Sequence, residues 1–173
     1  MPLNLIKRYP QLLELSHLSE HARNLSLRGI YDRDHQSAPT PVFRLRAIRP
    51  LKGIDTPPDI DIVFRHLITE EVPLSTGGKK REFDIHRSQR LHWIRFHLDE
   101  RRPDLIEVFS AEDWKDGKRR VRTYILDSAE RYVVILEPFR KQPDYYLITA
   151  FYLEPRNLKK MKQRAKRKLP DVL

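Results

Sequence analysis

The sequence predicts an α+β protein: N-terminal helices and one long helix packed on a small antiparallel sheet, followed by a basic helical tail. Three observations lead there. Apolar residues recur at near-helical spacing early in the chain and again in its middle. Period-two and near-continuous apolar runs dominate the last third. Cations crowd together after Pro155.

Between Tyr9 and Leu27, Leu12, Leu13, Leu15, Leu18, Ala22 and Leu25 approximate a helical stripe, which predicts one or two helices ending at Gly29. Asp32-Arg33-Asp34-His35 follows, then the breaker-rich stretch Ser37–Pro41. Val42–Ile48 alternates apolar and basic residues, the pattern of a half-buried strand. Pro50, Gly53, Pro57 and Pro58 predict a loop, and Ile60–Thr69 fits either a strand or a short helix. Gly77-Gly78 marks a turn within Pro73–Lys80.

Phe83–Leu98 carries the strongest helical pattern, with Leu91, Ile94 and Leu98 forming a narrow apolar stripe beside Arg87. Pro103 ends it, and Leu105–Phe109 is a short apolar segment with strand character. Arg120–Leu126, Arg131–Glu137 and Tyr145–Tyr152 predict an antiparallel meander, its apolar strands buried on both faces. The chain thus divides into a helical or mixed segment (1–78), a core (79–155) and a basic tail (156–173) that forms an exposed helix.

Composition narrows the function. The 173 residues carry a net charge of +10. Eight cations and no acid lie between Arg156 and Lys168, whereas residues 1–155 hold 26 cations against 23 acids. Such a field concentrates polyanions, above all nucleic acid, although a solubilising tail or a targeting signal would share the composition. With no cysteine there is neither a disulfide framework nor a thiolate metal site. The N-terminus lacks the pattern of a signal peptide, and no apolar run is long enough for a membrane span. The expected setting is cytoplasmic, without a membrane partner.

On one continuous helix, His86, Arg90, Trp93 and His97 would form a second stripe beside the apolar one. Imidazole titrates near neutrality and guanidinium pins phosphate, so this face suits proton transfer at a phosphate. The plainer alternative makes Trp93 core, His97 surface and Arg90 an amphipathic spacer. His86, His92 and His97 lie six and five residues apart, which fits no helical metal motif. Gly77-Gly78-Lys79-Lys80 lacks Walker spacing, and no Gly-x-Ser-x-Gly occurs. What suits the inventory is RNA cleavage by the substrate's own 2′-hydroxyl, which needs neither metal nor cofactor.

Phe83–Ile94, Pro103–Ile106, Tyr132–Leu136 and Tyr146–Phe151 together resemble phage-type nucleases of the barnase/EndoU/colicin/RelE-like superfamily, over about residues 83–153. In that superfamily a helix bearing His or Arg packs on a small antiparallel sheet. The resemblance implies a metal-independent endoribonuclease core, of the kind found in toxins and phage conflict effectors. It places His86 as general acid or base, Arg87 or Arg90 and Arg122 on the scissile phosphate, and Thr149 as a hydrogen-bond donor to it. Trp93 or Tyr124 would stack a base. Arg65 and His66 would extend the groove, while Lys159, Lys160, Lys162, Arg164, Lys166, Arg167 and Lys168 would attract RNA without regard to sequence. The partners would be RNA, tRNA or mRNA, and an immunity or antitoxin protein. Two alternatives stay open: a non-catalytic RNA- or DNA-binding protein, and a phage or secretion-related interaction module.

Overall fold

Val133–Leu136 are fully or almost fully buried because their strand lies in the middle of a sheet covered on both faces. The computed structural model describes residues 2–37, 39–49, 60–115, 117–139 and 143–173, so the loop expected around Pro50, Gly53, Pro57 and Pro58 lies outside the described residues. The architecture is α+β, with a curled six-stranded mixed sheet in the order β1 (Val42–Phe43), β2 (Arg46–Arg49), β8 (Tyr145–Tyr152), β7 (Tyr132–Pro138), β6 (Lys118–Asp127), β5 (Ile106–Lys115), and a separate hairpin of β3 (Thr69–Pro73) and β4 (Lys79–Phe83).

β5 (Ile106–Lys115), β6 (Lys118–Asp127), β7 (Tyr132–Pro138) and β8 (Tyr145–Tyr152) run antiparallel in sequence order. The sheet is larger than the small antiparallel one expected, for two reasons. The Leu105–Phe109 segment is only the beginning of a ten-residue strand. The Val42–Ile48 pattern, expected as one strand, folds into a hairpin of β1 (Val42–Phe43) and β2 (Arg46–Arg49). Its turn residues, Arg44 and Leu45, both have positive φ, a conformation usually signalled by Asn or Gly, so the residue types gave no warning of a turn. β2 then adds to β8 in parallel, pairing Ile48 with Tyr145 and Arg49 with Tyr146.

The helix expected over Tyr9–Leu27 is displaced. α1 (Pro2–Ile6) precedes it, Tyr9–Ser19 is irregular, and α2 (Glu20–Tyr31) runs through Gly29 into a π-helical turn at Asp32–Gln36. Pro10 disfavours helix before it, and Ser19 caps α2 by accepting from the Ala22 amide. Leu13 and Leu15 are buried while Leu12 and Glu14 are exposed, a period of two rather than 3.6.

Ile60–Ile68 forms α3, burying Val63, Leu67 and Ile68. β3 (Thr69–Pro73) and β4 (Lys79–Phe83) follow, joined through Gly77 and Gly78, both at positive φ.

The long helix expected over Phe83–Leu98 is two short ones, α4 (Ile85–Ser88) and α5 (Trp93–Leu98). Propensity does not break it; a tertiary bond does. The Gln89 carbonyl, which a continuous helix would offer to the Trp93 amide, accepts instead from the Leu13 amide at 3.0 Å. The Trp93 amide bonds to the Arg90 carbonyl at 2.9 Å, the tighter turn from which α5 starts.

Two cores flank the sheet. The larger packs Leu13, Leu15, Leu27, Val63, Leu67, Leu91, Trp93 and Ile94 against Ile125, Val134, Leu136, Leu147 and Ala150, so it draws on both the 1–78 and the 79–155 segments. The smaller packs α6 (Pro155–Ala165), through Leu158, Met161 and Ala165, against Phe109, Tyr124, Leu126, Val133 and Ile135.

Candidate nucleic-acid interface

Asp84 starts α4 by accepting from the Arg87 amide at 2.9 Å, and that short turn orients the first cluster of candidate residues. His86 points outward and is exposed, while Arg87 points inward. One Arg87 nitrogen, Nη1, donates to Thr149 Oγ1 at 3.2 Å and to the His66 carbonyl at 2.9 Å. Its Nε lies 3.4 Å from Asp84 Oδ2. Burial lowers the pKa of this guanidinium, against the pull of Asp84.

Arg90 is buried, with Nη1 donating to the His86 carbonyl at 2.8 Å and its guanidinium carbon 4.4 Å from the Tyr152 ring centre. Burial lowers its pKa too. Arg131 lies over the same ring at 4.9 Å, and the His86 imidazole is 5.7 Å from it. Four of the residues expected to act together, His86, Arg87, Arg90 and Thr149, therefore gather at the end of β8. Two of them are spent on the fold: Arg87 locks Thr149 to the end of α3, and Arg90 braces Tyr152. The accessible chemistry is the His86 ring beside a tyrosine flanked by two cations.

The remaining expected residues lie elsewhere. Trp93 and Tyr124 are 1% and 0% exposed, which corrects their assignment as base-stacking platforms. The break before α5 turns Trp93 into the core, where its indole donates to the Gln11 carbonyl at 3.2 Å. Alternation along β6 places Tyr124 beneath α6, stacked on Phe109, with its hydroxyl accepting from Arg164 at 3.1 Å. Arg122 is drawn into an ion-pair group with Asp113 at 3.0 Å and Glu137 at 3.9 Å, not toward His86.

His97, expected on the titratable stripe, is buried: Nδ1 lies 2.7 Å from the Trp93 carbonyl and Nε2 3.2 Å from Asp127 Oδ2. Tyr9 Oη donates to the same carboxylate oxygen at 2.7 Å. Burial pushes the Asp127 carboxyl up, but hydrogen bonds from His97, the Glu130 amide and Tyr9 outweigh it and hold the group below the usual range. Arg65 is exposed near the end of α3, and its carbonyl accepts from Thr69 Oγ1. His66 is half-buried, its carbonyl receiving Arg87.

α6 differs from the freely exposed helix expected. Met161 and Ala165 are buried against the sheet, and Leu158 is partly buried beside them. Arg164 reaches down to Asp113 at 3.5 Å. The opposite face and the turn beyond it expose Arg156, Lys159, Lys160, Lys162, Lys166, Arg167 and Lys168. Among the described residues none of these seven has an acid within ion-pair distance. The chain after α6 is tied to β5, with the Leu169 amide donating to the Ser110 carbonyl at 2.7 Å and the Leu173 amide to Ser110 Oγ at 2.9 Å. The cations thus sit on an anchored element, and those near its end also complement the helix dipole.

One aromatic escaped the sequence reading. Trp114, 71% exposed, sits near the β5–β6 turn in register with Arg119. Its place within a strand pattern could have marked it, but the Leu105–Phe109 segment was expected to end before it. Among the described residues no cluster of three or more histidines and carboxylates could hold a metal, and no helix is long and apolar enough to cross a membrane. The chain matches no protein-family model, no curated protein and no solved structure, so the nuclease resemblance rests on its short motifs alone.

Proposed function

We propose that the protein binds single-stranded RNA, with the outer face of α6 as its electrostatic track. The observation that carries this reading is a helix docked by its apolar face that presents seven cations with no acidic partner among the described residues. A membrane surface is a poorer fit. The apolar half that such a helix would insert is already packed on the sheet, and apart from Pro155 and Gln163 the exposed residues of α6 are all cations. Single-stranded RNA fits better than duplex because the exposed indole of Trp114 offers a stacking surface, although strand alternation sets it on the sheet face opposite α6, apart from the cationic track.

The test is fluorescence anisotropy with a labelled oligoribonucleotide across a salt series. Lys159→Glu/Lys160→Glu/Lys162→Glu should weaken binding at least tenfold and flatten the salt dependence, each lost phosphate contact removing about 0.7 from the log–log slope. Unchanged affinity and slope would remove α6 from the interface.

A second reading, metal-independent cleavage of RNA, is favoured by the exposed His86 imidazole beside Tyr152, Arg90 and Arg131. In it His86 takes the proton of the substrate 2′-hydroxyl or returns one to the leaving oxygen, while Arg131 faces the phosphate. Incubation with RNA in excess EDTA separates the two readings: cleavage that disappears in His86→Ala supports catalysis, and RNA left intact by the unmodified protein leaves binding alone.

A further inference from the structure

A cavity of about 120 Å³ lies away from α6, between the N-terminal segment and α5. Tyr9 and Phe96, stacked with ring centres 4.2 Å apart, form part of its wall together with His92. Five cations line it, Lys7, Arg8, Arg33, Arg95 and Arg101, against a single lining acid, Asp34. That acid is already satisfied: Arg33 grips it through two nitrogens at 2.6 and 2.8 Å. Arg95 is held by Asp99 and by the Asp34 and Pro39 carbonyls, and Lys7 by Glu14 at 2.6 Å.

Two guanidinium groups keep donors to spare. Among the described residues the exposed Arg8 side chain has no ion pair, and Arg101 uses only Nη2, toward Asp99 at 3.1 Å. His92 supplies the inner end. It is 5% exposed, and neither ring nitrogen makes a hydrogen bond of good geometry, although the Arg8 and Gln11 backbones lie close enough to act weakly as acceptors and raise its pKa a little against burial. Burying an imidazole so poorly bonded is unfavourable, and a ligand accepting its N–H would relieve that cost.

We propose that this cavity is a binding site for a phosphate group, with His92 donating from the inner wall and Arg8 and Arg101 closing over the remaining oxygens. A tetrahedral oxyanion suits the volume and the arrangement: donors converge from the wall and the rim, and Arg33 and Arg95 add positive field without needing to move. Burial pushes the His92 pKa down to about 4, so near neutral pH the ring enters this cationic surrounding uncharged and keeps one N–H to donate. The phosphate is either free or the terminal phosphate of an RNA strand, and the chemistry of the site is the same for both.

Titration calorimetry with inorganic phosphate, at fixed ionic strength and with chloride as the control, reads this directly. Saturable one-site binding is expected, weakened at least tenfold in Arg8→Ala/Arg101→Ala, whose substitutions lie at the exposed rim. The α6 variant Lys159→Glu/Lys160→Glu/Lys162→Glu should keep its phosphate affinity within twofold, so failure of the RNA reading would not carry this site with it. Absence of saturation, an unchanged double variant, or an equal loss in the α6 variant would each overturn the proposal. An oligoribonucleotide with a 5′-phosphate that binds at least fivefold more tightly than its 5′-hydroxyl twin, an advantage lost in Arg8→Ala/Arg101→Ala, identifies an RNA end as the source. Equal affinities identify free phosphate.

Discussion

Asp127 shows how much one buried carboxylate can organise. It accepts from Tyr9, 118 residues earlier in the chain, faces His97, and takes the Glu130 amide that closes the β6–β7 turn. Removing one neutral donor should cost about 1–2 kcal/mol, whereas neutralising the carboxylate leaves His97 without its partner and should cost about 3–5 kcal/mol. Tyr9→Phe and Asp127→Asn, compared by urea denaturation, should follow that order; equal and small losses would contradict a keystone role. Little of this was legible in the residues. His97 stood out for its spacing from His86, but the partner that buries it is 30 residues away, and one sequence carries no sign of that pairing. Arg87 and Thr149 were legible as neighbours only through the family resemblance, and their contact at 3.2 Å serves to hold α4 against β8.

At the scale of elements, the strands were easier to read than the helices. Tyr145–Tyr152 lies where its apolar run placed it, and β6 and β7 begin or end within a few residues of the expected limits. Burial on both faces writes itself into a continuous apolar run. Helices α4 and α5 were misread because their apolar stripe is real: Leu91, Ile94 and Leu98 are all buried. What divides them is a bond from Leu13, and periodicity is blind to a competing backbone donor. The break decides the site, since His86 remains outside while Trp93 and His97 turn inward. α6 was read correctly as basic and incorrectly as freely exposed. Its buried members, Met161 and Ala165, are too few among eight cations to announce a docked face.

For the whole molecule, pH is the informative variable. Burial pushes the pKa values of His92 and His35 down to about 4, from an ordinary value of 6.5. In the unfolded chain both rings take up a proton as pH falls through about 6.5, whereas in the folded protein they resist until about 4. Stability is therefore intact above pH 6.5 and should fall between 6.5 and 4, by about 1.4 kcal/mol per pH unit for each ring. Asp127, held below its ordinary 3.8, extends the loss to lower pH. Denaturant midpoints measured from pH 7.5 to 4 would reveal this slope. A flat profile would mean that neither histidine is held neutral by burial.

The cations of α6 are held in place by a docked helix rather than carried on a loose tail. The most direct test of their role is the affinity for a single-stranded oligoribonucleotide as a function of salt, measured for the unmodified chain and for Lys159→Glu/Lys160→Glu/Lys162→Glu. A steep log–log salt dependence is expected for the unmodified chain, becoming shallower by about 2 in the variant as three phosphate contacts are lost. RNA binding that is absent, or that keeps the same affinity and slope in both proteins, would contradict that role.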